Sequence, residues 1–525
     1  MSRIPIIRPA VSRREFLKLS TRLGAALAFG GLSSFLHGAA RQIPNLQSDP
    51  FTLGVASGDP TPDSVVLWTR LAREVLTEAG LGSDVLDVRW ELAADPEFRN
   101  ILRSGGIATS PLLGYSSHAE IRGLEPDQVY YYRWHAGNVT SPVGRTKTAP
   151  AAYADNSEFN FAFASCQQYE HGFYTAYQHM AQEELDLIVH LGDYIYERSW
   201  GDNLVRAHEG PEIINLEDYR ARYNTYKSDP DLREAHASAP WVVTWDDHEV
   251  DNNYAANIAE DDQTPEQLLI RRAAAYQAFY EFMPIRLPVG RQGPDMPIHR
   301  RLRFGKLVEM NVLDTRQYRS NQACGDGRKT SCAEHRDPGR TLLGDAQRNW
   351  LYSSLATADA TWNVLAQQIM MASLRSIGEN GEELWPMDIW DGYHFERQDL
   401  LRCMHEVRTP NPVVLTGDIH SNWAADLKLD FDDLSSSTVG SEFVGTSITS
   451  GGDGQDMTEY GADLLRNNPH VKFYNAQRGY VRATLTPELW RSEYKVLPAV
   501  TTPGMGISVR KTFITEAGKP GVQEA

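Results

Sequence analysis

The sequence predicts a mixed α/β fold preceded by a β-sandwich, and three observations predict it. Residues 51–148 run as short, alternating, strand-like segments with turn-forming residues between them, the pattern of a sandwich. From about 156 to 425, strand-like and helix-like segments alternate, as in an α/β domain. Four of those strand-like runs are apolar almost throughout, so they read as strands buried on both faces of a helix-flanked sheet.

The chain opens with Ser12-Arg13-Arg14-Glu15-Phe16-Leu17-Lys18, followed by a mostly apolar stretch from Leu23 to Leu36 and by Gly38-Ala39-Ala40. This is the pattern of a twin-arginine export signal over residues 1–40, with the twin-arginine translocase as partner and a periplasmic or extracellular destination. A run of about 14 apolar residues falls short of the roughly 20 that cross a bilayer, so no permanent membrane anchor is expected. Removing residues 1–40, with six basic residues and one acidic, takes the formal net charge from −18 to −23. Such a surface disfavours nucleic acid as a stable partner.

A sandwich over 41–150 is built from SVVLWTRLA, DVRWELAAD, YSSHAEIRGL and VYYYRWHAG, with GDPTPDS and LEPDQ as turns, and SPVGRTKTAPAA leads into the α/β domain, 151–525. Helix-like segments there include Gly172–Glu184, Thr264–Met283 and Gly344–Ala356. Residues 426–470 are Ser/Gly/Asp-rich and read as loop, as does 201–235, while RGYVRATLTPELWRSEYKV returns to β-type alternation. Cys324 and Cys332 bracket a short polar loop and are expected to bridge in an oxidising compartment, whereas Cys403 reads as a packed small hydrophobe.

The four apolar runs share one property. FNFAFASC stops at Cys166, LDLIVHLGDYIY carries Asp193 and Tyr196, WVVTWDDHE carries Asp246, Asp247 and His248, and PVVLTGDIH carries Asp418 and His420. A single Asp after a strand is ordinarily a turn or cap. Four clusters of oxygen, imidazole and thiolate donors at strand carboxyl ends, where such sheets collect ligands, point instead to a metal-dependent hydrolase.

These segments, with LDTRQYR, EFVGTSITS and NPHVKFYNAQRGYVR, closely resemble the PhoD-type alkaline phosphatases, whose core is related to calcineurin-like metallophosphoesterases and purple acid phosphatases. The resemblance implies a four-layer α/β/β/α core behind a fibronectin III-like sandwich. It also implies Fe(III) held by Cys166, Asp193, Tyr196 and His420, with Asp193 bridging to Ca(II) on Asp247 and Asp418, at about one iron and one or two calcium ions. Where related enzymes carry D-x-H, G-N-H and G-H-x-H, this chain has Ser165-Cys166-Gln167, Asp246-Asp247-His248 and Gly417-Asp418-Ile419-His420, and the added negative charge argues for a trivalent plus a hard divalent ion.

The expected activity is hydrolysis of phosphate monoesters, and of diesters, by hydroxide held on the metals. His248 stabilises the phosphoryl group or protonates the leaving group, or else caps a helix or supports a metal ligand from behind; Arg316 clamps a phosphoryl oxygen, or else serves as an ion-pair partner. Asn252 and Asn253 offer carbonyls to a further calcium or form a turn. Two rivals stand beside this reading: a phospholipase D or other phosphodiesterase using the same centre, and an exported binding protein without catalysis.

Overall fold

The computed structural model describes residues 40–286 and 293–525, so the expected export signal lies, but for its last residue, outside the described residues. Two β-sheets pack face to face with helices on the outer face of each. The first has ten strands among the described residues, in the spatial order Lys519–Glu524, Ser508–Glu516, Leu489–Val496, Gly479–Leu485, Phe159–Ala164, Leu187–His190, Pro240–Val243, Val55–Thr61, Ser64–Arg70 and Ser116–Arg122. The second has seven: Arg300–Phe304, Val308–Val312, Trp362–Ala366, Pro412–Thr416, Thr438–Val444, Asn422–Lys428 and Val471–Asn475.

The period-two alternation of FNFAFA decides which side faces what. Phe159, Phe161 and Phe163 enter the core between the sheets with Leu187, Val189, Met310, Val364 and Leu415. Ala162 and Ala164 face the other way, where small side chains let helices Thr175–Met180, Leu216–Lys227, Pro230–Ser238 and Pro265–Phe282 pack close through Tyr177, Tyr219, Leu232 and Phe279. Helices Gly344–Ala356 and His394–Glu406 cover the second sheet, setting Leu351, Leu355, Leu400 and Leu401 against Leu365 and Val414. The result is the expected α/β/β/α order.

Parallel pairing with Phe161 opposite Leu187 and Ile188 opposite Trp241 sets the carboxyl ends of three neighbouring strands side by side. A bridge between Ser165 and Ser447 joins their rim to the second sheet.

A sandwich forms at the N-terminal side, but one of its layers is the far end of the ten-stranded sheet. Val55–Thr61 pairs with Pro240–Val243, Ser57 opposite Pro240. Val65, Leu67 and Ile121 of this layer meet Val88, Leu92, Tyr132 and Trp134 of a six-stranded sheet. Within GDPTPDS, read as a turn, Pro62 and Asp63 do make the turn, while Gly58 to Thr61 supply the end of a buried strand, Val55–Thr61. Tertiary contact overrides turn chemistry there: a Cβ on Gly58 would stand 2.3 Å from Pro284 O, and Asp59 pairs with Arg300 at 2.8 Å.

Three further expectations are corrected. The segment 426–470 contains strand Thr438–Val444 and helix Glu459–Asn467, and 201–235 contains helix Leu216–Lys227 and most of Pro230–Ser238. Strand Ile101–Thr109 escaped notice because its glycines look like turn; a Cβ on Gly105 would meet the Trp90 ring at 2.6 Å across the pair. The segment Gly172–Glu184 is helical only over Thr175–Met180. Cys324 and Cys332 form a disulfide, and Cys403 is a free, half-buried thiol. No helix among the described residues is long and apolar enough to cross a membrane.

Candidate metal centre

Just beyond the strand ends the chain turns sharply, and the residues at the turns are the predicted ligands. Cys166, Asp193, Asp418 and His420 all have φ between +54 and +59°, in the left-handed region that costs a non-glycine residue about 1–3 kcal/mol. Four neighbouring candidate ligands thus share a backbone held against its preference. Gly192 makes the closest approach possible: its φ is +111°, and a Cβ there would lie 2.6 Å from Asp246 Cβ.

The donor atoms of Cys166, Asp193 and His420 lie within 4.8 Å of one another, as do those of Asp193, Asp247 and His248 and those of Asp246, Asp247 and Asp418. Because Asp193 is shared by the first two sets and Asp247 by the last two, the donors form one continuous chain. Tyr196 Oη joins it 3.1 Å from Asp193 Oδ2 and 3.3 Å from His420 Nε2. All six predicted ligands therefore converge, thiol, phenol and imidazole at one end and carboxylates at the other. Asp246, noticed in its cluster but not assigned as a ligand, stands among them.

The electrostatics of this cluster fit a cation. Burial, with Asp246 and Asp247 adding and His248 opposing, pushes the Asp193 carboxyl well above the usual range; burial and then Asp246 and Asp388 do the same to Asp418. Burial, reinforced by Asp193, raises the Cys166 thiol and the Tyr196 phenol, and burial lowers His420 to about 3, leaving a neutral imidazole with a free lone pair. Asp193 Oδ1 and Asp247 Oδ1 are buried and take no hydrogen bond among the described residues. A positive ion satisfies both oxygens and reverses the upward shifts.

Arg316 is fully buried. Its Nε and Nη2 bond to the Asp246 carboxylate, its Nη1 and Nη2 reach both Asp388 oxygens at 3.2 and 3.3 Å, and Nη2 stands 3.7 Å from Asp247 and Asp418. Of its two open roles, these are the contacts of the ion-pair partner. His248 Nδ1 lies 2.6 Å from Glu197 Oε2, and its ring centroid is 4.0 Å from that of Tyr196. Burial lowers its pKa, but Glu197, Asp193 and Asp247 outweigh that and hold it well above the usual histidine range, as an imidazolium. Asn252 and Asn253 donate their side-chain amides to Glu260, the turn role.

Sequence reasoning missed the residues that hold the ligands in place. Glu249 accepts the backbone N–H groups of Asp193, Tyr194 and Asp246 at 3.1, 2.6 and 2.9 Å, tying two ligand turns together. Its place directly after His248 was the one signal available. Glu197 directly follows Tyr196 and Ser450 ends EFVGTSITS, but neither was given a role, and Asp388 carried no signal.

The family model described as PhoD-like phosphatase matches residues 161–494, and that of the PhoD-like phosphatase N-terminal domain matches 38–150. Alkaline phosphatase D of Bacillus subtilis (strain 168) is 50% identical over 519 residues, covering 98% of this chain and 89% of that protein. A solved structure described as that of PhoD is 51% identical, covers 92% of this chain and 93% of its own, and superposes with a TM-score of 0.89.

Proposed function

The chain belongs to the PhoD-like phosphatase family, and from that premise we propose that it is an exported alkaline phosphatase hydrolysing phosphate monoesters and diesters at an Fe(III)/Ca(II) centre. The observation that carries this reading is the unbroken chain of donors in which Asp193 and Asp247 are shared and each keeps a buried oxygen without a hydrogen bond. Cys166, Asp193, Tyr196 and His420 would hold the iron, and Asp193, Asp247 and Asp418 the calcium, with Asp193 between them. Bound there, the cations supply Lewis-acid polarisation of the phosphoryl group and an acidified water.

The chain's own side chains do the rest. His248, charged and held through Nδ1 by Glu197, has a ring nitrogen within 4.8 Å of the Asp193 and Asp247 donors, where it steadies phosphoryl charge and gives a proton to the leaving oxygen. Arg316 fixes Asp246 and offsets repulsion among the carboxylates. Glu249 locks the two ligand turns to each other. Export is supported by the twin-arginine pattern over 1–40 and by the Cys324–Cys332 disulfide, a bond of oxidising compartments.

The test compares kcat/KM for p-nitrophenyl phosphate and bis(p-nitrophenyl) phosphate before chelation, after it, and after Fe and Ca(II) are returned. Activity on the monoester that disappears with chelation and returns with the cations is expected. Activity indifferent to chelation contradicts the proposal, and a diester preference of about a hundredfold or more would make the protein a phosphodiesterase of the same centre.

A further inference from the structure

Tyr196 has a neighbour that metal binding alone does not explain. Ser450, fully buried in the loop after Thr438–Val444, places its Oγ 2.7 Å from Tyr196 Oη, 2.8 Å from the Cys166 carbonyl oxygen and 3.0 Å from the backbone N of Gln168. The Gln168 N–H donates to Oγ, which leaves one hydroxyl proton and two oxygens within its reach. When Tyr196 is a neutral phenol it gives its own proton to a neighbour, Asp193 Oδ2 at 3.1 Å among them, and the serine proton rests on the Cys166 carbonyl. When Tyr196 is a phenolate it becomes a charged acceptor, and a charge-assisted bond is about twice as strong as a neutral one. The serine proton then turns to the phenolate.

The backbone leaves Ser450 little freedom to do otherwise. The N–H groups of Thr449 and Ser450 lie 3.4 and 3.2 Å from the Cys166 carbonyl, the Ile448 N–H bonds to Ser165 O at 3.0 Å, and Thr449 Oγ1 bonds to Gln168 O at 2.8 Å. The serine loop is thus stitched along the length of the cysteine loop, so that the hydroxyl is carried with the thiolate ligand it flanks. We propose that Ser450 is a positioning residue that donates a hydrogen bond to the Tyr196 phenolate and sets how much electron density the phenolate gives to the iron. This rests on the iron–tyrosinate reading above.

Absorption spectra of the iron-loaded protein test it, with wild type, Ser450→Ala and Ser450→Cys compared. Without a donor the phenolate orbital rises, so the charge-transfer band moves to longer wavelength and the Fe(III)/Fe(II) potential falls in Ser450→Ala. A thiol is a weak donor, so Ser450→Cys lies between; if Ser450→Ala does not retain iron, Ser450→Cys against wild type carries the comparison. A wild-type band that stands unchanged in the variants overturns the role of Ser450 and leaves the iron reading intact. Iron-loaded wild type without a visible band overturns the tyrosinate reading, and the Ser450 inference with it.

Discussion

Arg316→Met removes a buried charge from between two carboxylates with little change of shape. The guanidinium engages both oxygens of Asp246 and of Asp388 and has Asp247 and Asp418 at 3.7 Å. Taking one partner from a buried ion pair costs about 3–5 kcal/mol, because the remaining charge stays buried. Protonation of Asp246 supplies the pH-dependent share of that loss. Burial already pushes Asp246 up to about 6 while Arg316 pulls it down, so without Arg316 it rises further and is protonated at neutral pH. Keeping a carboxyl of ordinary pKa about 3.9 protonated at pH 7 costs about 4 kcal/mol, at about 1.36 kcal/mol per unit; wild type, with Asp246 at about 6, already bears about 3 of it, so the shift itself adds about 1 kcal/mol to the gap at pH 7 and more above it. The pH dependence follows in sign. A raised folded pKa means the native state holds a proton that the unfolded chain releases, so wild-type stability from this group falls as pH rises from about 4 to about 6 and then levels. In the variant the fall continues through neutral into alkaline pH. Unfolding of metal-stripped protein at about pH 5, 7 and 9 should show a gap from wild type that widens with pH, and Ca(II) should restore part of it by replacing the lost charge. A gap below about 1 kcal/mol at every pH, or one that does not change with pH, refutes the reasoning.

Asp193→Asn should lose both cations and nearly all turnover, read by elemental analysis beside activity; a variant with wild-type metal and rate removes Asp193 from the bridging position. Cys166→Ser should lower iron content, and unchanged iron occupancy would make this thiol structural. Gly192→Ala places a side chain at φ +111° and 2.6 Å from Asp246 Cβ, a loss of about 2–6 kcal/mol in thermal or denaturant unfolding with weakened metal retention; wild-type stability and metal content would show that the two ligand turns are not in close contact.

Much of the centre was legible because its ligands sit where sequence pattern is strongest. Cys166, Asp193, Asp247 and Asp418 each end an apolar run; parallel pairing gathers the first three ends in one sheet, and the facing sheet brings up the fourth. What was not legible depends on partners far along the chain. Ser450 meets the Cys166 carbonyl across 284 positions, and Asp388 meets Arg316 across 72; the segment EFVGTSITS ends at Ser450, but nothing local marks either contact. Arg316 shows the limit differently: its motif singled it out, but only the placement of Asp246 and Asp388 on either side of it distinguishes an ion-pair partner from a phosphoryl clamp. In the fold, the long apolar strands and the helices Pro265–Phe282 and Gly344–Ala356 were visible in periodicity. Val55–Thr61 and Ile101–Thr109 were not, since Gly58 and Gly105 owe their place to a neighbouring backbone and an indole ring rather than to turn formation.

The central claim is a mixed-metal centre with Tyr196 on iron. Elemental analysis of the purified protein after exhaustive dialysis, paired with absorption spectra of wild type and Tyr196→Phe, tests it most directly. About one iron and one or two calcium ions per chain, with a visible band that vanishes in Tyr196→Phe, is the predicted result. Two zinc or manganese ions without a band, or a band that survives the substitution, would contradict it.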